Sequence, residues 1–306
     1  MEITEINNHL YLIDLEAAGI KNFFASYVLK GKRVALVESG PTSSILNLIA
    51  GLKELDVKPD DVEYVAVSHI HLDHGGGIGT LFKYLPKAKV IVHQRGAPHL
   101  ANPEKLWQQS KEVLGNIAEI YGKPEPVPED RILAATDGMK IDLGSNVGIQ
   151  IVETLGHASH HLSYYEPLSQ GIFPGDAAGI YVNEIDVIVP TTPTPFRLDI
   201  ALASLEKLMK LKPKVLYYSH FGKAENAAEK IQTYAKQIKL WANIAKEGLE
   251  NEETIEIIRR RIIENDVGVQ RAIGYIEKHP IMSETTMRES LQGFIDFVGK
   301  FKVVPT

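Results

Sequence analysis

The chain has 306 residues, 44% of them apolar, with a net charge of −6, so it can bury a sizeable core as one large domain or as one domain with an appendage. Its only basic run is Arg259–Arg261, it has no leader-like start, and no apolar window approaches the roughly 18 residues of a membrane span. These features predict a cytoplasmic protein without a nucleic-acid or membrane partner. The absence of cysteine excludes disulfides, thiolate metal sites and a cysteine nucleophile, so any metal must be held by nitrogen and oxygen.

The first 40 residues alternate as strands do, in "HLYLIDL", "NFFASYVLKG" and "RVALVESG". A helix follows over 43–55, with Ile45, Leu48, Ile49 and Leu52 at helical spacing and Thr42, Ser43 or Ser44 as its N-cap. "VEYVAVS" reads as a strand, "IGTLFKYL" as a helix, "KVIVHQ" as a strand and residues 96–121 as amphipathic helix, before the Pro-rich loop "GKPEPVPEDR". A second strand series, "MKIDLG", "VGIQIVETLG", "HLSYYEP" and "QGIFPGD", leads to a helix over 200–211 whose apolar face is Leu202, Leu205, Leu208 and Met209, and then to the strand "KVLYYSH". This alternation belongs to an α/β chain. Past residue 222 the composition shifts to helix formers, with helices predicted over 224–247, 252–265 and 284–302. The last carries Met287, Leu291, Phe294, Ile295 and Phe297 or Val298 on one side, which suits either an intramolecular cover or a contact in a homodimer.

The segment "SHIHLDHGGG", residues 68–77, concentrates three of the chain's eleven histidines. Residues two apart on a strand face the same side, so His69 and His71 can point at one ion, while Asp73 and His74 reach a second point nearby. Imidazoles and carboxylates at this spacing suit divalent zinc, iron or manganese. The glycines let the backbone bend tightly after the cluster. Four residues do not complete two metal shells. The remaining candidates stand where other strands end: His157 in "TLGHASHH", Asp176 in "FPGDAAG" and His220 in "YYSHFG".

Taken in order, H-x-H-x-D-H, then G-H, G-D and S-H resemble the metallo-β-lactamase superfamily, in its glyoxalase II-like metallo-hydrolase branch, over roughly residues 5–222. The resemblance implies a four-layer αββα sandwich of two mixed sheets, residues 1–222, with a helical C-terminal extension, residues 223–306. It further implies that His69, His71 and His157 hold one metal, that Asp73, His74 and His220 hold the second, and that Asp176 bridges them. Two divalent ions, zinc first with iron or manganese as alternatives, would sit about 3.5–4 Å apart and lower the pKa of a shared water. Asp73 would orient the resulting hydroxide, and Tyr181 could present a phenol to a developing oxyanion.

The expected activity is therefore metal-dependent hydrolysis of an ester, thioester, lactone or similar small-molecule bond. A mononuclear iron dioxygenase acting on a sulfur substrate is the runner-up, and a metal-stabilised scaffold without turnover is the third reading. After Asp176 the chain lacks the G-C-G-[RK] segment associated with glutathione contacts, and Gly179 stands where acyl-homoserine lactonases usually have tyrosine. His161 is a candidate hydrogen-bond partner behind the ligands, whereas His160 either reaches the substrate or is simply exposed. Glu38, in "ESG", is assigned a structural role, and Arg197 is the cation nearest the Pro-rich "TTPTPF" loop.

Overall fold

The computed structural model describes residues 2–302 and 304–305, without the side chains at 284 and 285. Its strands and helices in chain order are β1 (Ile3–Asn7), β2 (Leu10–Asp14), β3 (Ala25–Lys30), β4 (Val34–Val37), α1 (Ile45–Glu54), β5 (Val62–Ala66), α2 (Ile78–Leu81), β6 (Lys89–His93), α3 (Ala97–Ala101), α4 (Glu104–Leu114), α5 (Asn116–Tyr121) and β7 (Ile132–Ala135). There follow β8 (Lys140–Gly144), β9 (Val147–Glu153), β10 (Leu162–Glu166), β11 (Gly171–Phe173), β12 (Ile180–Val182), β13 (Val187–Val189), α6 (Leu198–Lys210), β14 (Val215–Tyr218) and β15 (Gly222–Glu225). The chain ends in α7 (Ala227–Glu250), α8 (Ile255–Asn265), α9 (Val267–Ile276) and α10 (Met282–Phe301). Two compact units result: residues 1–153, 160–175 and 217–222 form the first, and residues 154–159, 176–216 and 223–306 form the second.

In the first unit, β1 to β7 form one mixed sheet in sequence order. The meander β1–β4 is antiparallel and β4–β7 are parallel. Of the parallel strands, β4 and β6 are near-continuous apolar runs buried on both faces, whereas β7 is partly exposed. A second sheet contributes β11-β10-β9-β8 to this unit, neighbours pairing antiparallel in that order. Aromatic residues join the two: Tyr27 of β3 lies 5.1 Å from the Phe173 ring and 5.7 Å from Tyr217. Both buried phenols that cross between the sheets are satisfied by backbone. Tyr27 donates to the Tyr218 carbonyl at 2.7 Å, and Tyr164 to the Val67 carbonyl at 2.6 Å.

The region read as one helical stretch over 96–121 is three helices, broken at Pro103 and at Gly115 (φ +56°). The predicted helix over 78–85 is shorter, Ile78–Leu81.

The second unit is built from the β12–β13 hairpin and helices α6 to α10. The buried face of α6 is Leu198, Ala201, Ser204, Leu205 and Leu208, so the apolar stripe is rotated from the expected one, with Leu202 and Met209 only half-buried. The rotation has a cause: Ala201 receives Gly156, where a Cβ would come within 2.6 Å, and the Ser204 hydroxyl donates to the Leu155 carbonyl at 2.7 Å.

Helix α9 and the β12–β13 hairpin are elements that the sequence pattern does not announce. α9 contains Gly268 and Gly274, which lower helix propensity. It is nucleated instead by buried Asp266, which accepts the Gly268 and Val269 amides and the Trp241 indole N–H. The apolar side of α10, including Met287, Leu291, Phe294, Phe297 and Val298, is buried within this unit. Among the described residues no helix is long and apolar enough to cross a membrane.

Candidate metal centre

The candidate donors of the first unit follow the C-terminal ends of strands, β5 for residues 69–74 and β14 for His220. β5 ends at Ala66, and the chain turns through Ser68 into the histidine cluster. His69 Nε2 and His71 Nδ1 converge to 2.9 Å. Asp73, His74 and His220 form a further group whose ligand atoms all lie within 4.8 Å of one another. His220 follows β14, and its neighbour Ser219 is tied by its carbonyl to the Ala25 amide at 2.9 Å. Gly75 and Gly76 are required here, since a Cβ at either would come within 3 Å of backbone oxygen, at His69 and Leu72 respectively.

Glu38, at the end of β4, underlies this cluster. It is 2% exposed and adopts φ +69°, a conformation few non-glycine residues take. Its carboxylate accepts from His74 Nδ1 at 3.1 Å, Ser219 Oγ at 2.9 Å and the Ser68 amide at 3.2 Å. Burial, reinforced by this carboxylate, pushes the Tyr164 phenol well above its ordinary range. Ser68 Oγ lies 2.9 Å from His69 Nδ1. The structural role assigned to Glu38 is thus orientation of His74. Sequence reasoning does not single out Ser68 and Ser219, because serine beside histidine carries no signal of its own.

His161 is fully buried, its ring 5.0 Å from that of His69. Gly175 (φ +53°) passes between it and Ser68, leaving no room for a side chain. His160 is half-exposed beside the cluster, its ring 5.9 Å from His71 and 6.3 Å from His69.

In the second unit, His157 and Asp176 are brought together, with Nε2 and Oδ2 3.4 Å apart. Both are buried. The Thr191 carbonyl accepts a hydrogen bond from His157 Nδ1 at 2.9 Å. Tyr181 donates its phenolic proton to Asp186 at 2.8 Å, and Asp186 pairs with Lys230. Burial and then the Asp186 hydrogen bond hold that phenol well above its ordinary range. Arg197 is paired with Asp199 on the surface.

The donor chemistry fits divalent metal. A carbonyl and a carboxylate can only accept, so His157 and His74 carry their protons on Nδ1 and present Nε2 lone pairs. Those lone pairs face carboxylate oxygens: His157 faces Asp176 at 3.4 Å, and His74 faces Asp73 at 3.7 Å. Acceptor opposite acceptor in a buried place is unfavourable unless a cation or an additional proton lies between them.

A family model for the metallo-beta-lactamase superfamily matches residues 24–220. The chain belongs to this superfamily. Among its curated relatives in the superfamily, the metallo-beta-lactamase fold-containing protein ST1585 of Sulfurisphaera tokodaii is 31% identical over 201 residues, 64% of this chain and 72% of the relative. The crystal structure of ST1585 superposes with a TM-score of 0.71 at 26% identity, covering 95% of this chain and 99% of that one. The metallo-beta-lactamase family protein TTHA1429 of Thermus thermophilus shares the fold at a TM-score of 0.68 and 19% identity, over 97% and 95% of the two chains. An N-acyl homoserine lactonase of Bacillus thuringiensis is 25% identical over 60% of this chain and 65% of its own length. The fold class expected from the sequence, a metallo-β-lactamase α/β sandwich with C-terminal helices, is borne out.

Proposed function

We propose that the protein is a metal-dependent hydrolase of an ester, thioester, lactone or similar bond in a small molecule. The observation that carries this reading is the set of imidazole lone pairs facing carboxylates, with the opposite ring nitrogens of His74 and His157 committed to Glu38 and Thr191. In the proposed assignment His69, His71 and His157 would hold one ion and Asp73, His74 and His220 the other, with the Asp176 carboxylate available to both. Two divalent ions so held, zinc first, would supply Lewis acidity, lowering the pKa of water and offsetting charge that develops on a carbonyl oxygen.

The remaining roles belong to the chain. Asp73, at 19% side-chain exposure, is the most accessible donor of its group, whereas His74 is 0% and His220 6% exposed. Its role would be to accept a hydrogen bond from an attacking water and fix its direction. Glu38 holds His74 in the tautomer that presents Nε2. Tyr181 donates its hydrogen bond to Asp186 and would have to turn from it to serve an oxyanion.

Similarity to a lactonase supports a cyclic or acyclic ester as the substrate class. A phenol at position 179 is not available for it: Gly179 has φ +84°, and a Cβ there would meet Ile188 at 2.7 Å and the Val189 carbonyl at 2.8 Å. The test is turnover of a panel of lactones, thioesters and phosphoesters by the zinc-loaded protein, the chelator-treated protein and His220→Ala. Activity that disappears with chelation, returns with zinc and is lost in His220→Ala is expected. Turnover unchanged by chelation would overturn the proposal.

A further inference from the structure

We propose that the C-terminal helix α10 positions His157, by clamping the peptide between Thr191 and Thr192 that accepts the hydrogen bond from its Nδ1. The proposal rests on the reading of His157 as a metal ligand and extends it to residues more than 70 positions away. The Thr191 carbonyl and the Thr192 N–H belong to one planar peptide unit, so fixing the N–H fixes the direction of the carbonyl.

That N–H donates to Ser290 Oγ of α10 at 3.3 Å, and the same hydroxyl donates to the Pro190 carbonyl at 2.9 Å. One serine thus bridges the chain on both sides of Thr191. The Thr192 hydroxyl returns a bond to the Ser290 carbonyl at 2.9 Å. Gly293, one turn on, abuts the same segment so closely that a Cβ would come within 1.8 Å of the Thr192 oxygen. Thr192 and Ser290 are at most 2% exposed, so water cannot replace these bonds.

The clamp therefore leaves the Thr191 oxygen one direction, toward His157 Nδ1. This gives the helical extension a task distinct from covering apolar surface. Ser290 is a positioning residue, acting on the imidazole through a peptide.

The test compares wild type, Ser290→Ala, His157→Ala and Thr254→Ala. Thr254 caps α8 by accepting the Ile257 amide and touches none of the clamp, so its removal loosens the extension generically. Each full-length protein is titrated with zinc against a chelator, its cobalt(II) form is examined by visible absorption, and its melting temperature is measured. Ser290→Ala should weaken one of the bound zinc ions by on the order of tenfold and shift the cobalt bands. Thr254→Ala should lower the melting temperature while leaving affinity and bands as in wild type.

Wild-type affinity and spectrum in Ser290→Ala, with His157→Ala losing an ion, would overturn the clamp alone. Equal loss of affinity in Thr254→Ala would also overturn it. If His157→Ala kept all its zinc at wild-type affinity, the ligand assignment itself would fall, and the clamp with it. Should Ser290→Ala not fold, Thr192→Val, which removes only the hydroxyl that donates to the Ser290 carbonyl, carries the same expectation.

Discussion

Replacing Glu38 by glutamine keeps the side chain's shape while removing its charge and making half of it a donor. In the wild-type protein Oε1 accepts from His74 Nδ1 at 3.1 Å and Ser219 Oγ at 2.9 Å, and Oε2 accepts from the Ser68 amide at 3.2 Å. If the oxygen of the introduced amide took the Oε1 place, its NH₂ would oppose the Ser68 N–H. Turned the other way, it would oppose His74 Nδ1. Either orientation leaves a buried donor unsatisfied, at a cost of about 1–3 kcal/mol. His74 can relieve the conflict by moving its proton to Nε2, but that removes the lone pair facing Asp73. The cost is then expressed as weaker metal binding, by about 5- to 150-fold since 1.4 kcal/mol is a factor of ten. The assay is zinc competition with a chromogenic chelator on wild type and Glu38→Gln. Zinc affinity within about twofold of wild type, in a variant shown to be folded, would refute the orienting role of Glu38.

Two further outcomes follow from the second unit. Gly179→Ala should destabilise the protein by about 1–3 kcal/mol, because the new methyl meets Ile188, the Val189 carbonyl and Tyr234 at 2.7–2.9 Å in a left-handed backbone; chemical denaturation with wild-type stability would contradict the packing described. The Lys230 hydrogen bond holds the Asp186 carboxyl below its ordinary value of 3.8. A depressed folded-state pKa means that the stabilisation is complete above the unfolded value and is lost as pH falls through the folded one. The difference in melting temperature between wild type and Asp186→Asn should therefore be constant from neutrality to about pH 5 and shrink below 3.8. A difference that grew on acidification would show the pair has the opposite sign.

The α/β class and the candidate donors are legible because each donor follows an apolar strand and stands beside glycine or a small residue. Gly75, Gly76, Gly156 and Gly175 mark places where backbone or a neighbouring side chain fills the space of a Cβ, and local sequence shows these directly. The groups that orient the donors are harder to read. Thr191 acts through its backbone carbonyl, which any residue supplies, and Ser290 reaches it from 98 positions away at Thr192. α9 escapes sequence reading for a related reason: its glycines argue against a helix, and what stabilises it is Asp266, satisfied by Gln237 and Trp241 of another helix. The α6 stripe differs from the expected one where Ser204 and Ala201 face inward, because polar and small residues are invisible to a count of apolar side chains.

Whether this chain holds two divalent ions through nitrogen and oxygen donors alone is tested most directly by elemental analysis of protein purified without chelator or added metal, alongside His220→Ala. About two zinc ions per chain are expected in the wild type and about one in the variant. Metal-free protein that binds no added zinc, or a single iron accompanied by oxygen consumption with sulfur substrates, would contradict the two-ion centre.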